Sequence, residues 1–223
     1  MARSPPGYGR PCPWPPDRGA PRSTGVPMST AAAPARTGAV LADLLPSSRA
    51  HVRDLALVAG GAALTGLAAQ IAVPVPGSPV PVSGQTFAAL LVGTSLGARR
   101  GFLSLALYAL VGMAGVPWFA QGTSGYAMPS FGYILGMLLA ATVVGALARR
   151  GADRSVARMA GTMAVGSLII YAVGVPYLAL ATGMSLSQAV AAGLVPFLIG
   201  DAVKAALAMG LVPTAWKLLG GRS

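Results

Sequence analysis

From Leu55 onward the chain consists of long apolar stretches separated by short polar or basic connectors. A bilayer hydrocarbon core of about 30 Å needs roughly 20 mainly apolar residues in a helix to cross it. Six segments follow that pattern and are predicted as transmembrane helices, at about residues 55–73, 83–98, 101–119, 130–148, 159–181 and 185–219; the second is short. Ser185 and Gln188 have the spacing of a capping box and mark the start of the sixth helix, which Pro196 and Pro213 are expected to disturb. Between the first two helices, residues 73–82 alternate Val and Pro around Gly77 and Ser78. That composition excludes a transmembrane helix and suits a stiff, extended connector, either a cover over the mouth of a pocket or an ordinary loop.

Residues 1–50 are rich in Pro, Gly, Ser, Ala and Arg and lack both helical and strand periodicity. They are expected to form a disordered cytoplasmic tail, with residues 51–223 as the membrane domain. No continuous apolar core follows Arg3 before the prolines begin, so a secretory signal is not expected; a start near Met28 is an alternative reading of this stretch.

Composition agrees with the pattern. The chain is 54% hydrophobic and 9% charged, with a mean hydropathy of +0.67, too apolar for an ordinary soluble domain. Its net charge of +11 raises nucleic acid as a partner, and the placement of the charges removes it. Lys and Arg cluster in the tail, at Arg99 and Arg100, between Arg149 and Arg158, and at Lys217 and Arg222, punctuating the apolar spans. The connectors after the first, third and fifth spans carry no charge. Because Lys and Arg favour the cytoplasmic side of short loops, both termini are expected in the cytoplasm. Cys12 and His51 are the only residues of their kinds, which excludes a disulfide framework or a Cys/His metal site within one chain. His51 precedes the first span, so no catalytic histidine is available inside the membrane.

Asp201 and Lys204 are the only acidic or basic residues well inside a span. Each costs roughly 2.5 to 3.5 kcal/mol at mid-helix on insertion scales, so their presence needs a reason. Three residues apart, they share a helix face. They either neutralise each other as an ion pair or line a polar pocket, with Lys204 a donor and Asp201 an acceptor for a small ligand. Gly200 would let a ligand or backbone approach closely. Further polar candidates are Gln85 and Thr86 near the start of the second span, Ser130 and Tyr133 at the start of the fourth, and Tyr171 and Tyr177 in the fifth; tyrosines near an interface also serve as membrane anchors. In the first span Ala59 and Ala63 lie on one face, with Ala56/Gly60 and Ala62/Gly66 at the same spacing, a pattern that allows close helix packing in lipid. The segment GTSLGARRG from Gly93 lacks the lysine and hydroxyl of a phosphate-binding loop, so any ATP-driven transport would need another chain to hydrolyse ATP.

Three stretches, AAQIAVPVPGSPVPVSGQTFAALLVGTSLGARRG from Ala68, FGYILG from Phe131 and VPFLIGDAVKAAL from Val195, occur in the order and spacing of a known family. Over about residues 55–219 the chain resembles the BioY family, the biotin-specific S components of energy-coupling factor (ECF) transporters. The resemblance implies an all-α, six-helix membrane bundle that binds biotin near the external face and associates with a transmembrane coupling subunit and two cytoplasmic ATPases. It implies that Asp201 and Lys204 form the G-D-x-x-K site, that Gln85 belongs to a Q-T-F segment, and that Gly132 and Tyr133 form a G-Y segment. It also implies that Ala59 and Ala63 dock the coupling subunit. Ser83 and Gly84 stand where the family often has Thr and Leu, and Met128 to Phe131 replaces a more usual Gly-Pro-Thr-Gly run.

The resulting expectation is a plasma-membrane, non-enzymatic, biotin-capturing subunit with biotin ligands Asp201, Lys204, Gln85, Tyr133, Gly132 and Tyr171. It would bind no metal or cofactor of its own, and its partner subunits would use ATP. An S component for another small vitamin, a membrane-embedded enzyme and a structural membrane subunit are the alternatives.

Overall fold

The computed structural model describes residues 38–44 and 49–220; most of the predicted tail, residues 1–37 and 45–48, and residues 221–223 lie outside the described residues. Among the described residues the chain is almost entirely helical: α1 (Ala50–Gln70), α2 (Gln85–Leu96), α3 (Ala98–Met113), α4 (Phe131–Arg149), α5 (Val156–Thr182), α6 (Leu186–Gly193) and α7 (Phe197–Gly220). Two short strands, β1 (Ala72–Val73) and β2 (Val82–Ser83), pair antiparallel between α1 and α2. Single 3-10 turns occur at Leu41–Leu44 and Ala120–Gly122.

Four helices, α1, α4, α5 and α7, are long and apolar enough to cross a membrane; α2 is a shorter apolar helix. Of these four, α4 is the most buried and α1 and α7 the least, so α4 lies at the centre of the bundle with α1 and α7 at its periphery. Small residues allow this packing. A Cβ on Gly93 of α2 would lie 2.6 Å from the Ala141 carbonyl oxygen of α4, and one on Gly136 of α4 2.8 Å from the Ile170 carbonyl oxygen of α5. Only glycine lets these backbones approach so closely.

The segment boundaries depart from the sequence pattern in three places. The region predicted as one sixth helix, 185–219, is two helices, α6 and α7, separated at 194–196. Ser185 and Gln188 do form the capping box, but it caps the short α6. The backbone breaks ahead of Pro196, whose lack of an N–H prevents helix continuation, whereas Pro213 sits inside α7 without ending it. The third helix, predicted to reach 119, stops at Met113, because Gly115 adopts φ 104° and Pro117 follows. Phe119 then folds back and fills the space beside Gly112 where a side chain would have stood. The first helix begins earlier than predicted and ends at Gln70.

Residues 38–44 fall within the stretch read as tail, yet Val40 and Ala42 are buried in the hydrophobic core. Arg100 at the start of α3 bridges Asp43 (2.7 Å) and Asp54 of α1 (3.0 Å), and Arg149 donates to the Gly38 carbonyl (3.2 Å). At the same end of the bundle Trp216 Nε1 of α7 donates to the fully buried Asp153 carboxylate between α4 and α5 (2.6 Å), with the Arg154 guanidinium 4.7 Å from the Trp216 ring. Among the described residues, Arg100, Arg149, Arg154 and Lys217 thus gather at the end opposite β1 and β2.

Candidate ligand cleft

The first polar group of the cleft is set by the turn into α2. Pairing of Ala72 with Ser83 and of Val73 with Val82 closes the Pro-rich connector into a hairpin, and Gly84 N–H donates to the Ile71 carbonyl (2.9 Å). The expected stiff, extended segment is therefore a short flap tied back on itself, and its Val80, Pro81 and Ser83 line a narrow cleft. Gln85 and Thr86 from the first turn of α2, Ser130 and Tyr133 from the start of α4, Tyr171 of α5 and Phe197 of α7 complete the walls.

Asp201 and Lys204 line a second, smaller cavity, and Thr86 lines both. Lys204 Nζ donates to Thr86 Oγ1 (2.8 Å) and contacts Asp201 Oδ1 (3.3 Å); the other Asp201 oxygen accepts the Tyr171 hydroxyl. The two charged side chains are each 16% exposed, so each charge sits where water is scarce and is compensated mainly by the other and by two hydroxyls. The ion pair of the sequence reading is formed, and it abuts the cleft through Thr86 and Tyr171.

Aromatic rings form the apolar wall. Tyr133 stacks on Phe197 (6.2 Å between centroids, 17°) and meets Tyr171 edge-on (6.4 Å, 83°). Its hydroxyl donates to the Gly193 carbonyl at the end of α6 (2.8 Å) and is thereby committed to holding the helix break. Tyr133 is positioned to offer its ring to a ligand.

Of the residues singled out from sequence, Gln85, Tyr133 and Tyr171 line the cleft, and Asp201 and Lys204 line the adjoining cavity. Gly132 lines neither: the space where its side chain would stand is filled by Tyr177, so its place is in α4–α5 packing. Tyr177 itself donates to the Tyr126 carbonyl (3.2 Å). Ala59 and Ala63 lie on the exposed face of α1, away from the helices of the cleft. Phe197 and the buried Tyr108, which donates to Gln85 Oε1 (3.1 Å), were not singled out from sequence. Phe197 could have been suspected from its place in the VPFLIGD stretch, whereas Tyr108 carries no local signal.

A bundle of apolar helices around a polar, aromatic-lined cleft defines a membrane protein with a candidate small-molecule site. Residues 41–221 match the model of the BioY family. The chain is 37% identical over 149 residues to the probable biotin transporter BioY of Lysinibacillus sphaericus, covering 66% of this chain and 74% of that protein. It is 37% identical over 152 residues to the probable biotin transporter BioY of Pyrococcus horikoshii, covering 67% and 87%. Its fold is that of the S-component for biotin from an ECF-type ABC transporter, solved by crystallography, with a TM-score of 0.69 and 22% identity over 78% of this chain and 95% of that one. The chain belongs to the BioY family.

Proposed function

We propose that this protein is the biotin-capturing S component of an ECF-type uptake system, binding biotin in the cleft beneath the β1–β2 flap and delivering it inward with a separate energising module. The observation that carries the reading is the Asp201–Lys204–Tyr171–Thr86 cluster beside an aromatic-lined cleft, in a chain whose relatives are named biotin transporters. Biotin combines a ureido ring with donors and an acceptor, an apolar thioether body and a carboxylate, and the cleft and its neighbouring cavity supply an acidic acceptor, an ammonium donor and aromatic faces to match. Lys204 and Tyr171 engage Asp201 and hold its carboxylate in place. The ligand therefore meets oriented groups.

In this reading six spans cross the membrane: α1 to α5, with α6 and α7 together making the sixth. The basic end of the bundle faces the cytoplasm with both termini, supported by the gathering of Arg100, Arg149, Arg154 and Lys217 at the end opposite the flap. The cleft then opens outward. The chain carries out no chemistry of its own, and ATP is hydrolysed by cytoplasmic partner subunits. The exposed Ala59 and Ala63 form the docking face on α1 for the transmembrane coupling subunit.

Equilibrium biotin binding to the detergent-purified chain tests the site. Wild type should bind saturably without ATP or metal, and Asp201→Asn and Lys204→Ala should each weaken binding at least about tenfold, equivalent to about 1.4 kcal/mol. Well-folded wild type that fails to bind biotin would remove biotin as the ligand and reopen the choice among small vitamins.

A further inference from the structure

Gln85 is 6% exposed and stands in the first turn of α2 as part of the cleft wall. A primary amide can present either its oxygen or its nitrogen, so its value to a ligand depends on what fixes the flip. Two neighbours do so here. The thioether of Met137 lies 3.6 Å from Nε2 and is only an acceptor, so it favours the nitrogen on its side. On the other side the Tyr108 hydroxyl donates to Oε1 (3.1 Å), which turns the oxygen toward α3.

Tyr108 cannot easily release that bond. Its side chain is fully buried, its ring is packed against Trp118 and Phe119 with centroids 5.2 Å away in each case, and no other hydrogen bond of its hydroxyl is present among the described residues. The Trp118 indole in turn donates to the Tyr108 carbonyl (3.0 Å), which seats Trp118 beside the ring. With the oxygen held by Tyr108 and one N–H beside Met137, the remaining N–H is the donor Gln85 has left to offer.

We propose that Tyr108 is a positioning residue for ligand specificity: it locks the Gln85 amide so that the cleft wall presents a fixed N–H donor to an acceptor oxygen of the ligand. This donor adds to the carboxylate and ammonium of the Asp201–Lys204 cluster in the adjoining cavity. For biotin the acceptor is either the ureido oxygen or the carboxylate. The ligand part of the proposal rests on the biotin reading, whereas the Tyr108–Gln85 pairing does not.

The test compares wild type and Tyr108→Phe for binding of biotin, 2-iminobiotin, which lacks the ureido oxygen, and biotin methyl ester, which lacks the carboxylate charge. Loss of one oriented hydrogen bond should weaken biotin binding about fivefold. It should also shrink the affinity penalty of whichever analogue alters the acceptor that Gln85 meets, which identifies that acceptor. An equal loss for all three ligands, or no loss, would overturn the specificity role, because a merely structural tyrosine would not distinguish them. The pairing is read without ligand from thermal unfolding of Tyr108→Phe, Gln85→Leu and the double variant. Shifts that do not add support the pairing, and additive shifts overturn it even if wild type proves not to bind biotin, an outcome that would count against the biotin reading alone.

Discussion

Gly174 of α5 exists to make room for Tyr133. A Cβ built on Gly174 would lie 2.6 Å from both Cγ and Cδ1 of the Tyr133 ring and 2.8 Å from Cε1. Carbon atoms in contact prefer about 3.5 to 4 Å, so in Gly174→Ala the ring must retreat by roughly 1 Å. That movement strains the 2.8 Å bond from the Tyr133 hydroxyl to the Gly193 carbonyl and disturbs the stack on Phe197. Overpacking costs about 1 to 3 kcal/mol and the hydrogen bond contributes about 0.5 to 1.5, while alanine recovers about 0.5 to 1 in helix propensity. The net expectation is a loss of about 1 to 3 kcal/mol in stability, with biotin affinity reduced at least about fivefold because a wall of the cleft has moved. Gly161 provides a control in the same helix: it is exposed, and an added Cβ would meet nothing within 4 Å. Gly161→Ala should leave binding unchanged and hold or slightly raise the melting temperature. Thermal unfolding in detergent and biotin titration read both effects. If Gly174→Ala melted and bound like Gly161→Ala, the role assigned to Tyr133 in the cleft wall would be refuted.

Three further outcomes are expected. The Asp153 carboxyl is fully buried, and burial pushes it above the usual carboxylate range despite the Trp216 hydrogen bond and the nearby Arg154 charge. A raised folded-state value means that its stabilising contribution is complete below the unfolded value of 3.8 and is lost as pH rises through the folded value. Asp153→Asn should therefore flatten the pH dependence of stability and be no less stable than wild type near neutral pH. Trp216→Phe should destabilise by about 1.5 to 3 kcal/mol at neutral pH, since it strips a buried carboxylate of its donor; melting curves from pH 4 to 8 check both, and a less stable Asp153→Asn at pH 7 would contradict the sign. Separately, bulky residues at Ala59 and Ala63 should abolish co-purification with the coupling subunit while biotin binding persists, and loss of both activities together would argue against separate docking and binding faces.

The order of the apolar segments, the polarity of the connectors and the exceptional character of Asp201 and Lys204 were determined by the sequence itself. Each rests on a local free energy: an apolar run is expelled by water wherever it lies, and a charge within such a run is costly whatever its neighbours. The capping box at Ser185 and the stop signals at Gly115, Pro117 and Pro196 were equally local, although counting apolar residues carried the third predicted helix past Gly115 and Pro117 and kept the sixth as one helix, disturbed but not split at Pro196.

What only the tertiary structure decided is which way each side chain faces. In an apolar helix lipid and core are alike in polarity, so a tyrosine gives no local sign of whether it meets lipid, another helix or a ligand. Tyr108 and Gln85 lie on different helices and are joined by a bond that depends on how α2 and α3 turn at Gly97, a residue with φ 83°. Gly132 sits in a motif beside Tyr133, yet Tyr133 lines the cleft and Gly132 packs on Tyr177, because successive residues of a helix point about 100° apart and only the crossing of α4 with α5 assigns those directions. Hydropathy sorts segments between water and membrane, but the distinction between a buried residue and a binding residue arises only where several helices meet.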